Sequence, residues 1–130
     1  MKRNMDLFRK IMLEIENQYK VGQTLMNGLP IEGHDKMEVG EYCQLLKDNY
    51  FIQEYNPTIG GGYLVFFKVG NLTSQGFDFL ERIRDEQVWE KTKKFILDKN
   101  LDMTPTTIFH IANAINIKKV ETALKDISEE

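Results

Sequence analysis

One cysteine, two histidines, three prolines and no long apolar run set the first limits on this 130-residue chain. Cys43 has no second cysteine to pair with, so no internal disulfide can form. Charge begins at Lys2 and Arg3, and no apolar segment ending in a small-residue cleavage site follows, so no secretory signal is expected. No stretch approaches the ~20 apolar residues of a membrane-spanning helix. A lone thiol without an export signal points to a reducing cytoplasm. His34 and His110 stand apart, and the chain has no Cys-x-x-Cys, His-Glu-x-x-His or calcium-loop spacing. Neither a metal nor a cofactor is therefore expected. No serine or cysteine sits in a nucleophile turn, and no carboxylates pair distinctively, so the chain reads as non-enzymatic.

A basic excess is missing too. Seventeen lysines and arginines face twenty carboxylates, for a net charge of −3. Proteins that live on nucleic acid usually carry the opposite balance, because displacing counterions from phosphates supplies much of their affinity. Any nucleic-acid reading has to rest on local patches.

The hydrophobic fraction is 42% and the charged fraction 28%, which suits an ordinary globular fold. Leu7, Phe8, Ile11, Met12 and Ile15 make one apolar stripe, predicting a helix from Met5 to about Gln18. Gly22, Asn27, Gly28 and Pro30 break the pattern, leaving 19–33 as a connector with a short extended piece at Leu29 to Ile31. Asp35 can cap a second helix running to about Asp48, with Val39, Tyr42, Cys43 and Leu46 on its inner face. Cys43 on that face reads as a small buried apolar residue, with no neighbouring cation to stabilise a thiolate.

The period then changes. Tyr50–Tyr55 and Tyr63–Val69 are rich in aromatic and β-branched residues, predicting two strands of a hairpin with a loop longer than two residues around Gly60-Gly61-Gly62. The glycine triplet lacks the Gly-Lys-Ser/Thr of a phosphate loop. Thr73 can cap a third helix, and Gly76 just inside it suggests close backbone approach. Val88, Trp89, Thr92, Phe95 and Ile96 share a face of a further helix. Thr104-Pro105 starts the last one, with Ile108, Phe109, Ile111, Ala112 and Ile115 on its apolar side and a possible bend at Asn116.

Helix, connector, helix, hairpin, helix is the order of a winged helix-turn-helix. The expected class is α+β, mostly helical, with a winged-helix domain at 1–84 and a helical extension at 85–130 packed on it or on a partner chain. Leu45-Leu46-Lys47-Asp48-Asn49-Tyr50-Phe51-Ile52 resembles the end of many winged-helix recognition helices, and Leu72-Thr73-x-x-Gly76-x-x-Phe79-Leu80 is similar to the helix that follows their wing. Three further stretches resemble an uncharacterised family of small phage and prophage proteins. These are the opening Met1 to Leu7, with Asn4 in place of aspartate, Leu29-Pro30-Ile31-Glu32-Gly33, and Arg84-Asp85-x-x-Val88-Trp89. That resemblance covers about residues 1 to 100 and implies a mobile-element origin. It supplies no activity, since the family is a domain of unknown function.

Two functions compete. By analogy of fold the chain binds DNA in a regulatory role, with Gln44 and Lys47 as base readers, Lys68 on the wing, and Lys2, Arg3, Lys91, Lys93 and Lys94 on phosphates. These lysines read equally as solvated helix faces. Against the analogy, the presumed reading helix holds Lys36 and Lys47 against Asp35, Glu38, Glu41 and Asp48, and an acidic helix is repelled by a phosphate-lined groove. The alternative is an acidic module that binds and modulates a host protein. Trp89, Phe95 and Phe109 are the candidate partner contacts, and a homodimer through the C-terminal helices is expected, with packing on the chain's own core as the other possibility.

Overall fold

The computed structural model describes residues 3–23, 25 and 29–128. It is an α+β structure, mostly helical, with five helices and a two-stranded antiparallel sheet among the described residues. In chain order these are α1 Met5–Gln18, α2 Lys36–Asp48, β1 Tyr55–Gly60, β2 Tyr63–Val69, α3 Ser74–Ile83, α4 Glu86–Asp98 and α5 Pro105–Ser128. The chain divides into two compact units, Met1–Leu80 and Glu81–Glu130, and the boundary falls inside α3.

In the first unit each helix starts where a side chain can take up orphan N–H groups. Asn4 accepts from the Leu7 N–H at 3.1 Å, and Asp35 from the Glu38 N–H at 2.8 Å. The stripe predicted for α1 is fully buried, as are Val39, Tyr42, Cys43 and Leu46 on α2. Three rings close the core. Phe51 and Phe79 stack with centroids 4.7 Å apart, and Phe8 meets both edge-on at about 6 Å, the geometries that aromatic quadrupoles favour.

The hairpin departs from expectation in position and in turn. β1 begins at Tyr55, not Tyr50. Tyr50 has φ +61°, which ends any extended run there, and Ile52 pairs only as an isolated bridge with Leu72. Asn56-Pro57, expected in the loop, lies in the strand. The connection is the two residues Gly61 and Gly62, at φ +60° and +82°. Positive φ at both central positions gives a turn whose twist matches the strands, so the short loop is what this glycine pair favours. A register shift between Thr58 and Ile59 places Val65 out of step, so Leu64 rather than Val65 turns inward over Gly40.

Gly40 and Gly76 are glycines at close approaches between elements. A Cβ on Gly40 would lie 2.5 Å from Leu64 Cδ2 and 3.2 Å from the Tyr55 hydroxyl, so α2 sits directly under the hairpin. A Cβ on Gly76 would run into the Phe51 carbonyl group, and the Thr73 N–H donates to that same oxygen at 2.9 Å. Close approach was expected at Gly76. Its partner is the segment that leads into the hairpin. In the connector, Leu29 and Ile31 are buried but form no strand, and Leu25 makes the bridge to Val69 instead.

The second unit is built on α4 and α5. Asp85 caps α4 by accepting from the Gln87 and Val88 N–H groups at 2.8 and 3.1 Å. Val88, Trp89, Thr92 and Ile96 form its buried stripe, and the Thr92 hydroxyl donates to the Val88 carbonyl, so its burial leaves no polar group unpaired. α5 runs unbroken through Asn116, whose amide donates to the Ala112 and Arg82 carbonyls at 2.9 Å each. No helix among the described residues is long and apolar enough to cross a membrane.

Candidate functional site

α2 is the helix that reads bases if the chain is a DNA-binding winged helix, and its cations are engaged within its own unit. Lys36 Nζ donates to the Val65 carbonyl and Lys47 Nζ to the Gln53 carbonyl, both at 2.9 Å. Gln44 Nε2 donates to Asp48 Oδ1 at 3.0 Å. Both predicted readers thus brace the unit to which they belong. Glu41 is exposed, and Glu38 Oε1 lies 2.9 Å from His34 Nδ1. The acidic side of α2 faces outward beside a hairpin that exposes Ile59, Tyr63 and Val65. Glu41 also acts on Tyr55, whose hydroxyl is raised above its ordinary pKa by burial first, with the neighbouring Cys43 and Glu41 adding to this.

Cys43 lies in the core of this unit, and burial pushes its thiol up to about 12. A thiol held protonated at neutral pH is a poor nucleophile and a poor ligand. Among the described residues no group of three or more His, Cys, Asp or Glu is placed to hold a metal ion.

The remaining predicted positions belong to both units. Arg3 is exposed ahead of α1, Lys68 is half-buried on β2 opposite Asn56, and Lys2 lies outside the described residues. On α4, Lys91 and Lys94 are exposed, while Lys93 folds back, 3.2 Å from Glu90 and over the Trp89 ring. Trp89 is only 1% exposed. It presents no surface to a partner, because the α4 stripe turns it into the core of its own unit. Phe109 is half-buried beneath the Arg82 guanidinium, and Phe95, with Lys99 above its ring, keeps an exposed face.

Two further features belong to the second unit, and only the first was not singled out from the sequence. One is a cleft of about 500 Å³ between α4 and α5. Gln87, Val88 and Lys91 form one wall, spaced along a single face of α4; Ile115, Lys118, Lys119 and Thr122 form the other, along one face of α5. Asp85 closes the end, with Lys119 Nζ 3.5 Å from its Oδ2. Its carboxyl is held below the ordinary value, first by the Val88 N–H, with Lys119 and the Gln87 N–H adding to this and desolvation opposing it. Lys91 and Lys118 have no side-chain hydrogen-bond or ion-pair partner among the described residues. Lys118 and Lys119 went unnoticed because their link to Lys91 exists only across two packed helices.

The other feature is the C-terminal half of α5, where every described side chain from Ile117 onward is exposed. Ile117, Val120, Leu124 and Ile127 recur at intervals of three, four and three, the spacing of a coiled-coil seam, and each is more than half exposed. A groove of about 400 Å³ lined by Arg82, Asn113, Asn116, Ile117 and Val120 leads into this stripe.

Comparison with known proteins finds relatives but no described activity. The family described as hypothetical protein (DUF2513) matches residues 2–102, a span that ends before α5 begins. An uncharacterised protein of Haemophilus influenzae is 32% identical over 116 residues, covering 88% of this chain and 95% of that protein. No solved structure matches the chain.

Proposed function

The chain belongs to the DUF2513 family of hypothetical proteins, and we propose that it is a non-enzymatic, cytoplasmic winged-helix protein of phage or prophage type that binds and modulates a basic host protein through α2 and the hairpin. The winged-helix reading is supported by the order α1, the Leu25 bridge, α2, hairpin and α3, with α2 packed under the hairpin at Gly40. One observation carries the choice of partner. Both lysines of α2 are held against backbone carbonyls of their own unit, while Glu41 and Asp48 are exposed, Asp48 accepting only from the neutral Gln44 amide, so the outward side of the helix is acidic. A DNA groove opposes such a face, whereas a basic protein surface complements it.

The test is capture from host extract by the immobilised full-length chain, alongside Glu38→Lys/Glu41→Lys. A specific partner should be retained by the wild type, released by salt and lost from the variant. Equal capture by both removes the acidic face from the mechanism.

DNA binding in a regulatory role is the second reading, favoured by the lysines clustered on α4 and α5. It would work through phosphates rather than base edges, and so would be indifferent to sequence. Fluorescence anisotropy with duplex DNA at ~50 mM salt decides it, because electrostatic affinity is strongest there. No measurable binding in that buffer eliminates the reading. A homodimer belongs to both readings, with the exposed α5 stripe as its contact in place of Trp89 and Phe109.

A further inference from the structure

We propose that the cleft between α4 and α5 is a binding site for a phosphoryl dianion, with Lys91 and Lys118 as its principal ligands. Three ammonium groups line a cavity of about 500 Å³ that contains a single carboxylate. That carboxylate, Asp85, is committed: its Oδ1 accepts from two N–H groups of α4, and its Oδ2 faces Lys119 at 3.5 Å. It fixes Lys119 at the edge of the site and leaves Lys91 and Lys118 unneutralised. Two unpaired lysines opposite one another match the two charges of a phosphate monoester, and the volume lies within the ~300–1,000 Å³ of small-molecule sites. Val88 and Ile115 give the cavity an apolar lining against which the organic part of a phosphorylated ligand can rest. The Thr122 hydroxyl donates to the Lys118 carbonyl and therefore contributes acceptor lone pairs only, so the lysines and the Gln87 amide are the donors available to phosphate oxygens. The first turn of α4 adds the positive end of its dipole beside them.

The shared chemistry is the phosphoryl group, and it has two sources: a free phosphorylated small molecule, or the backbone of a nucleic acid. The proposal names the group recognised under the DNA reading, yet it does not need that reading to hold.

Isothermal titration of the full-length chain at constant ionic strength separates the cases, with inorganic phosphate and a nucleoside diphosphate as one arm and a short DNA duplex as the other. Saturable binding in the first arm is expected. It should weaken about tenfold in Lys91→Ala or Lys118→Ala, as the loss of one charge-assisted bond implies. Lys10→Ala, exposed on α1 and outside the cleft, should leave it unchanged. If duplex DNA displaces phosphate and loses affinity in the same two variants, the backbone is the source. If DNA does neither, a free phosphorylated molecule is. Absence of saturable binding in both arms, or equal weakening in Lys10→Ala, overturns the proposal. DNA binding that ignores Lys91 and Lys118, together with no saturable binding of phosphate or nucleoside diphosphate, leaves the DNA reading standing and overturns the cleft.

Discussion

Replacing Gly76 with alanine should destabilise the protein, although the change improves helix propensity. In an unconstrained helix interior the substitution gains about 1 kcal/mol. Here the new methyl would be driven into the Phe51 carbonyl group, with its carbon 2.9 Å and its Cα 3.1 Å from the added atom. These are backbone atoms with no rotamer to escape into. The Thr73 N–H and hydroxyl are bonded to the Phe51 and Tyr50 carbonyls at 2.9 and 2.5 Å, so α3 cannot back away without stretching both bonds. Overpacking costs about 1–3 kcal/mol, and two weakened hydrogen bonds cost about 0.5–1.5 kcal/mol each. The ranges give a loss of about 1–5 kcal/mol with the propensity gain subtracted, and about 2 kcal/mol is the expectation because the hydrogen bonds are stretched and not lost. Urea denaturation followed by circular dichroism should show the midpoint falling by about 1 M at an unchanged slope. A variant as stable as the wild type, or more so, would refute the close contact between α3 and the segment before β1.

Three other outcomes follow from the same structure. Cys43 should resist a thiol reagent in the folded protein at pH 8, because its thiol titrates near 12, and react at once in denaturant; rapid labelling of the native chain would contradict its burial. Asp85→Ala should lower the thermal midpoint at pH 7, and the gap from wild type should close on acidification. Its folded pKa lies below the unfolded one, so the carboxylate's contribution is complete above the unfolded value and vanishes as pH falls through the folded one; a gap that persists at low pH would count against the cap. Leu124→Asp should shift sedimentation from dimer to monomer without unfolding the chain, since Leu124 is 55% exposed; a wild-type monomer at ~100 μM would remove the seam as a self-contact, since a dimer that weak is worth less than ~6 kcal/mol.

The helices were legible because each carries its own signals. Asp35 and Thr104-Pro105 announced where α2 and α5 begin, and the α1 stripe declared its buried face before any neighbour was known. β1 was misplaced by about five residues because Tyr50 to Ile52 has strand composition but serves another purpose. Tyr50 turns the chain at positive φ, Phe51 packs against both Phe8 and Phe79, and its carbonyl receives α3. Composition reports that such residues are apolar, and only tertiary context says whether they pair or pack. Trp89 misled for a related reason. A large aromatic beyond the minimum fold suggested a contact surface, and α4 instead used it to build a second core. The lysine cleft was illegible altogether, because its walls lie on two helices whose register no local pattern encodes.

The span of the family match bears on what can be shared among relatives. α2, the hairpin and Lys91 fall within residues 2–102, whereas Lys118, Lys119 and the whole apolar stripe of α5 fall beyond it. The Haemophilus influenzae relative aligns over 116 residues, which carries its alignment into α5. Binding of a basic partner and binding of a phosphoryl group should separate within this chain, because substitutions at Glu38 and Glu41 act on one compact unit and those at Lys91 and Lys118 on the other.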